Sequence, residues 1–123
     1  MIVGLGTDIV EVARIAKIYE KFGVHFLNKI LTPAEIEQLC PPKPERIAGL
    51  FAAKEAAVKA LGTGFARGIG LGQIEIGHDD LGAPLLHFHG AAAQYFRERG
   101  AQRALLSISH ERNYAVACVV LDG

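Results

Sequence analysis

The stretch PERIAGLFAAKEAAVKALG, residues 44–62, decides the fold, because it predicts the longest helix of the chain. Pro44 suits the first helical position, the alanines favour the helix, and Gly62 can end it. Large apolar residues recur at helical spacing and mark one buried stripe, formed by Ile47, Phe51, Val58 and Leu61. We therefore expect a long central helix that packs against the rest of the domain.

Strand patterns precede and follow this helix. Residues 2–10 alternate in character, with Val3, Leu5, Thr7 and Ile9 on one face and Gly4, Gly6 and Asp8 on the other. Residues 74–76 and 85–88 predict two strands joined by a turn, and residues 105–110 and 114–121 predict a hairpin. The last strand is apolar on both faces, so we expect helices or another subunit to cover it on both sides.

Further helical segments complete the pattern. A helix is predicted between Glu11 and Gly23, and a short helical or irregular piece is predicted over 26–31. Thr32 and Glu35 form a capping-box pattern that opens another helix, and residues 91–99 predict the last one. The order βααα-ββ-α-ββ in 123 residues predicts one α+β domain spanning 1–123, with an antiparallel sheet packed against the long central helix.

Composition excludes some classes of function. Lys plus Arg and Asp plus Glu each number 13, so the net charge is zero, whereas a general nucleic-acid-binding protein needs an excess of positive charge. No apolar run approaches the ~20 residues that span a bilayer, and no secretion signal opens the chain. Cys40 and Cys118 lack metal-binding spacing and are typical of reduced thiols. We expect a cytoplasmic protein without a membrane or nucleic-acid partner.

Asp8 is the first candidate for chemistry. It ends a strand whose neighbours on the same face are glycines, and a carboxylate in such an open position can hold a hard cation such as Mg²⁺. The alternative is that Asp8 only ends the strand and helps to start the next helix. Position alone leaves both interpretations open.

Glu55 and Lys59 are four residues apart and share one face of the central helix. The simple interpretation is a surface ion pair. Against it, alanines at 48, 52 and 56 surround Glu55, so that a ligand or a backbone could approach closely. Lys54 falls on the apolar stripe, where its ammonium group either extends to solvent or binds an anion.

Three other features allow two interpretations each. The glycine-rich segment 62–72 either offers backbone N–H groups to phosphates or only connects two elements, since it lacks the Walker pattern and follows a helix. Ser109 and His110 end a strand and form either a polar turn or part of a site. Arg14, Lys17 and Lys21 make a basic stripe on the first helix, which is either a solvated face or a docking surface for an acidic partner.

Three motifs, taken together and in order, resemble those of the holo-[acyl-carrier-protein] synthase family. They are GLGTDIVEV at 4–12 with Arg14 and Ile15, FAAKEAAVKALG at 51–62, and LSISH at 106–110 followed by AVA at 115–117. The resemblance covers nearly the whole chain, and it implies the phosphopantetheinyl transferase fold.

The resemblance also implies an activity and its parts. A 4'-phosphopantetheine group would move from coenzyme A to a serine of apo acyl carrier protein, with Mg²⁺ as cofactor and adenosine 3',5'-bisphosphate as by-product, in support of fatty acid biosynthesis. Asp8 and Glu55 would hold Mg²⁺, Lys59 would assist the leaving group, and Glu55 or a metal-bound water would be the base. Residues implied in coenzyme A binding are Arg46, Phe51, Lys54, Lys59, Gly62, Thr63, Gly64, Ser109 and His110.

Two further implications concern partners. The family is typically a homotrimer with active sites between subunits, and a domain this small gains from self-association. The acidic carrier protein would dock on Arg14, Lys17 and Lys21. Two rival functions remain open: a metal-dependent hydrolase of nucleotide diphosphates that uses the same carboxylates, and a non-catalytic oligomeric module that binds an acidic protein.

Overall fold

The computed structural model describes residues 1–123 and contains five strands, five α-helices and one short 3-10 turn. The strands are β1 (Ile2–Glu11), β2 (Ile74–His78), β3 (Pro84–Phe88), β4 (Arg103–His110) and β5 (Tyr114–Asp122). The helices are α1 (Val12–Phe22), α2 (Val24–Ile30), α3 (Pro33–Gln38), α4 (Pro44–Leu61) and α5 (Gly90–Glu98). The predicted α+β class is confirmed, and the segment predicted as helical or irregular is a helix, α2.

The strands form two antiparallel sheets instead of one. The larger sheet has the order β1-β5-β4, and the smaller sheet consists of β2 and β3 alone. On β2, the Ile76 amide donates to the Glu35 carboxylate of α3 (2.7 Å). The smaller sheet is therefore tied to the helical layer through a side chain.

Local sequence signals account for the helix ends. The Thr32 hydroxyl accepts a hydrogen bond from the Glu35 amide (3.2 Å) while the Glu35 carboxylate accepts one from the Thr32 amide (2.8 Å), which is the predicted capping box. Helix α4 begins at Pro44 and ends before Gly62, whose φ of 80° is left-handed and favours glycine. Both ends of α4 lie where the sequence predicts them.

The glycine face of β1 packs directly on α4. A Cβ atom added to Gly6 would lie 2.6 Å from the amide nitrogen of Ala60 and closer still to the carbonyl oxygen of Ala56, and one added to Gly4 would collide with the Ala60 carbonyl oxygen. Real Cβ atoms do not come within 3.0 Å of backbone atoms. The strand and the helix can approach this closely only because one side offers glycines and the other offers alanines.

The opposite face of the larger sheet is exposed in the single chain. It carries large apolar side chains with exposed fractions of 64% for Leu5, 62% for Ile9, 47% for Leu105 and 39% for Val116. On β5, the alternate residues Ala115, Ala117, Val119 and Leu121 are buried under α4. One face of β5 is thus covered as predicted, and cover for the other face stays a prediction. None of the helices combines the length and the apolar character that a membrane span requires.

Candidate active site

Asp8 and Glu55 come from different elements and line the same cavity. Asp8 lies near the end of β1, and Glu55 lies in the middle of α4. The cavity has a volume of about 370 Å³ and is also lined by Phe51 and by Arg14. The close contact between the glycine face of β1 and the alanines of α4 explains the meeting, because it holds two backbone segments together where larger side chains would separate them.

Lys59 turns toward Asp8 and not toward Glu55. Its ammonium nitrogen lies 3.0 Å from the Oδ1 of Asp8 and also donates to the Thr7 carbonyl at 3.0 Å. The simple interpretation of Glu55 and Lys59 as a surface ion pair is therefore wrong for this structure. Asp8 is mostly covered, with a side-chain exposure of 17%, whereas Lys59 is half exposed and its charge remains available to a ligand.

Glu55 carries a negative charge that nothing in the chain neutralises directly. No hydrogen bond or ion pair is formed by its carboxylate. Burial raises the pKa of Glu55, the charge of Asp8 raises it further, and Lys59 acts in the opposite direction. Two carboxylates that repel each other and line one cavity form a suitable place for a hard divalent cation.

The residues present fit such a cation as a partial ligand set. Nowhere does the chain gather three or more His, Cys, Asp or Glu side chains into a metal-binding cluster, so Asp8 and Glu55 would supply two oxygen ligands and leave the other positions to water or substrate. Mg²⁺ is typically bound in this way, by one or two carboxylates together with waters and substrate phosphates. The pair is therefore better suited to a cation that arrives with a phosphate ligand than to a permanent structural metal.

A second cavity opens on the exposed face of the larger sheet. It is lined by Thr7, Asp8, Lys59, Ser107 and Ser109, with four apolar or small residues completing the wall. Asp8 therefore borders two openings, one beside α1 and one on the sheet face, and Lys59 borders the second. The sequence-predicted residue Ser109 is brought to the same opening as Asp8 and Lys59.

Arg46 and His110 line a third cavity, which we call the α3–α4 cleft. Its walls are formed by α3, α4, β4 and the β2–β3 hairpin, and its lining includes Glu35, Leu50, Ile76 and His78. Neither Asp8 nor Glu55 borders this cleft. Within one chain, the structure thus separates Arg46 and His110 from the two carboxylates with which the sequence grouped them.

The segment Gly62, Thr63 and Gly64 lines none of these three cavities. Its three backbone N–H groups donate to the Val58 carbonyl at the end of α4, at 3.1, 3.3 and 3.4 Å. The Thr63 hydroxyl donates to the Gly64 carbonyl (2.8 Å). Because these donors already cap the helix, the interpretation in which the backbone of this segment binds phosphates is not supported in the single chain.

Lys54, which the resemblance places in coenzyme A binding, has its side chain buried in an ion pair in this structure. Its ammonium nitrogen lies 2.7 Å from the Oε1 of Glu35, and both side chains are fully buried. Burial lowers the pKa of Lys54, and the hydrogen bond that Lys54 donates to Glu35 opposes that shift. The sequence predicts only a capping role for Glu35. The one signal of its second role is a lysine on an apolar stripe, which requires a buried partner.

The basic stripe of α1 lies on the surface. Arg14, Lys17 and Lys21 are all exposed, and Arg14 also lines the cavity that contains Asp8 and Glu55. The ammonium group of Lys21 lies 5.3 Å from the centre of the Phe22 ring. The stripe therefore runs from the mouth of this cavity along the outside of the helix.

Proteins of known family match this chain over nearly its whole length. A family model described as the 4'-phosphopantetheinyl transferase superfamily matches residues 4–119. The holo-[acyl-carrier-protein] synthase of Koribacter versatilis is 50% identical over 99% of this chain and 99% of its own length, and that of Desulfovibrio desulfuricans is 52% identical over 99% and 98%.

Solved structures give the same result. The holo-[acyl-carrier-protein] synthase of Neisseria meningitidis superimposes with a TM-score of 0.88 at 43% identity over 100% of both chains. The enzyme of the same name from Helicobacter pylori, solved in complex with coenzyme A, superimposes with a TM-score of 0.85 at 37% identity over 96% of this chain and 99% of its own. The chain therefore belongs to the holo-[acyl-carrier-protein] synthase family, within the 4'-phosphopantetheinyl transferase superfamily.

Proposed function

We propose that this protein transfers the 4'-phosphopantetheine group from coenzyme A to a serine of an apo acyl carrier protein, in a Mg²⁺-dependent reaction that releases adenosine 3',5'-bisphosphate. The observation that carries the proposal is the convergence of Asp8 and Glu55, which are distant in sequence, on one cavity beside Lys59. Relatives named for this activity match essentially the whole chain, and two solved relatives contain coenzyme A or its 3',5'-ADP part.

The chemistry breaks one bond and forms another. The serine oxygen attacks the phosphorus atom that carries the pantetheine arm, the phosphoanhydride bond to the nucleotide breaks, and its electron pair leaves with adenosine 3',5'-bisphosphate. A bound Mg²⁺ supplies charge neutralisation to the diphosphate of coenzyme A. Asp8 and Glu55 would hold that ion through their carboxylate oxygens.

The side chains of this protein have separate tasks in that reaction. Lys59, half exposed and fixed by Asp8 and the Thr7 carbonyl, presents a positive charge to the phosphates as negative charge grows on the leaving group. The serine proton must be removed as attack begins. Glu55, either directly or through a metal-bound water, would receive it.

We further propose that the active site is completed between subunits of a homotrimer. The exposed apolar face of the larger sheet supports this assembly, because Leu5, Ile9 and Leu105 on an isolated chain would stand in water. The opening that contains Asp8, Lys59 and Ser109 lies on this same face. Assembly there would allow Arg46 and His110 of a neighbouring subunit to approach the carboxylates, from which they are separated within one chain.

The carrier protein docks on α1 in this proposal. Arg14, Lys17 and Lys21 make a local positive surface on a chain of zero net charge, and carrier proteins present acidic surfaces to their partners. Arg14 places this surface at the edge of the cavity, where the serine must arrive. A role in fatty acid biosynthesis in the cytoplasm follows if the acceptor is the fatty acid carrier protein.

Mass spectrometry of an apo carrier protein tests the proposed function. After incubation with this protein, Mg²⁺ and coenzyme A, the carrier protein is expected to gain the mass of one phosphopantetheine group, and omission of Mg²⁺ or replacement of its acceptor serine is expected to prevent the gain. An unmodified carrier protein in the full mixture would refute the proposal. Consumption of coenzyme A without any acceptor would instead identify a hydrolase.

A further inference from the structure

An ion pair between Glu35 and Lys54 lies wholly inside the protein and joins four segments. The Oε1 of Glu35 accepts from the Lys54 ammonium group (2.7 Å) and from the Thr32 amide (2.8 Å), and its Oε2 accepts from the Ile76 amide (2.7 Å). The Lys54 ammonium group also donates to the Leu71 carbonyl (3.0 Å). One carboxylate and one ammonium group thus connect the start of α3, the middle of α4, the end of the glycine-rich segment and β2.

Stability alone does not explain why such a pair is kept. Removing two charges from water costs more than their attraction returns in many proteins, and apolar replacements of similar shape are often as stable. A buried pair does, however, hold the groups around it in one arrangement, because each partner left alone would be an unpaired buried charge. We therefore look for the role of the pair in the part of the structure that the four connected segments form.

Two of these segments, α3 and β2, form one wall of the α3–α4 cleft. Glu35 and Ile76, which the pair connects directly, both line the cleft. The opposite wall is formed by α4 and β4 and carries Arg46 and His110. Because Lys54 belongs to α4 and Glu35 to α3, the length of the ion pair sets the distance between the two walls.

We propose that Glu35 and Lys54 are positioning residues that set the width of the α3–α4 cleft and thereby the affinity for coenzyme A. The inference rests on the proposed function, in which Arg46 and His110 bind coenzyme A. It assigns the pair to binding and not to the chemical step, because neither side chain borders the cavity of Asp8 and Glu55. In this proposal, Lys54 and Glu55 point to different sides of α4: Lys54 positions the cleft, and Glu55 lines the cavity that it shares with Asp8.

The double variant Glu35→Gln with Lys54→Met tests this role. It removes both charges together, so that no unpaired charge is buried, and both replacements keep the approximate shape of the original side chains. We expect a folded protein whose KM for coenzyme A rises by at least about tenfold, since displacements of about 1 Å around a bound ligand have effects of this size or larger. We expect kcat at saturating coenzyme A to change by less than about threefold.

A matched control separates positioning from general destabilisation. Val119→Ala creates a cavity in the core under α4, at a fully buried position that does not line the cleft. It is expected to lower Tm and leave the KM for coenzyme A unchanged. An equal rise in KM in both variants would overturn the proposal, because it would show an effect of stability alone.

A milder variant decides the matter if the double variant does not fold. Thr32→Val removes the hydroxyl group that accepts from the Glu35 amide and donates to the Glu75 carboxylate (2.8 Å), and it leaves the ion pair in place. We expect a smaller rise in the KM for coenzyme A with kcat unchanged. Wild-type KM in the folded variants would refute the inference alone, whereas a wild-type protein that does not bind coenzyme A would refute the proposed function and the inference together.

Discussion

Replacement of Gly6 by alanine tests whether the close contact between β1 and α4 builds the active site. The added Cβ atom would lie 2.6 Å from the Ala60 amide nitrogen, and ordinary contacts begin at about 3.4 Å, so the strand must move outward by at least about 0.8 Å. The atoms in the way belong to the backbone of a buried helix and cannot rotate aside. Overpacking of this kind costs about 1–3 kcal/mol of unfolding free energy.

The same movement shifts Asp8, which lies two residues further on the same face of β1. A displacement of about 1 Å at a reacting group can lower the rate by about a hundredfold. We therefore expect Gly6→Ala to lose about 1–3 kcal/mol in urea unfolding and most of its kcat/KM in carrier-protein modification. The loss of activity should persist at temperatures where the variant is fully folded.

Gly77→Ala is the matched control, because Gly77 also lies in a strand and a Cβ atom added there meets nothing within 4 Å. This control is expected to unfold within about 0.5 kcal/mol of the wild type and to keep its activity. The reasoning is refuted if Gly6→Ala behaves like the wild type in both assays, or if Gly77→Ala loses as much stability as Gly6→Ala.

Two further predictions concern charge. Burial and the charge of Asp8 raise the pKa of Glu55, so the folded state binds this proton more tightly than the unfolded state and stability falls as pH rises through the raised pKa. Glu55→Gln should therefore raise Tm in metal-free buffer at pH 8, and the gain should vanish at pH values below the ordinary glutamate pKa. An equal gain at all pH values in thermal melts would contradict this origin. In steady-state kinetics, charge reversal at Arg14 and Lys17 should raise the KM for the carrier protein by about tenfold or more and leave the KM for coenzyme A nearly unchanged. Charge reversal at the exposed Lys29 of α2 serves as the control. Equal effects on both substrates would count against docking on α1.

The sequence predicted most reliably what depends on local signals. The bounds of α4 follow from Pro44 and Gly62, and the start of α3 follows from the capping box of Thr32 and Glu35. These signals act within a few residues of each other, so no knowledge of the tertiary structure is needed. The prediction that Asp8 and Glu55 lie together rests instead on the family resemblance, because the two residues are separated by more than forty positions.

The orientation of β1 shows where pattern reasoning is insufficient. Alternation identifies an apolar face with Leu5 and Ile9 and a bare face with Gly4 and Gly6, and the usual expectation would bury the apolar one. The structure buries the glycines, because backbone contact with α4 requires the absence of side chains. Glycine carries no hydrophobic signal, and the exposed apolar face is the one that the proposed trimer would cover.

Lys54 shows a related limit for charged residues. A lysine on an apolar stripe requires a partner, and a ligand phosphate and a distant carboxylate satisfy that requirement equally well in sequence. The actual partner, Glu35, lies nineteen residues away on another helix and was already occupied by a capping box. The further contacts of its two oxygen atoms could not be assigned without the tertiary structure.

Titration calorimetry of Mg²⁺ tests the central claim, which is that Asp8 and Glu55 hold one divalent ion together with coenzyme A. In the presence of saturating coenzyme A, the wild type is expected to bind one Mg²⁺ per active site, and Asp8→Asn and Glu55→Gln are each expected to raise the Kd by more than about tenfold, since each removes one charged oxygen ligand. Wild-type affinity for Mg²⁺ in either folded variant would contradict the claim.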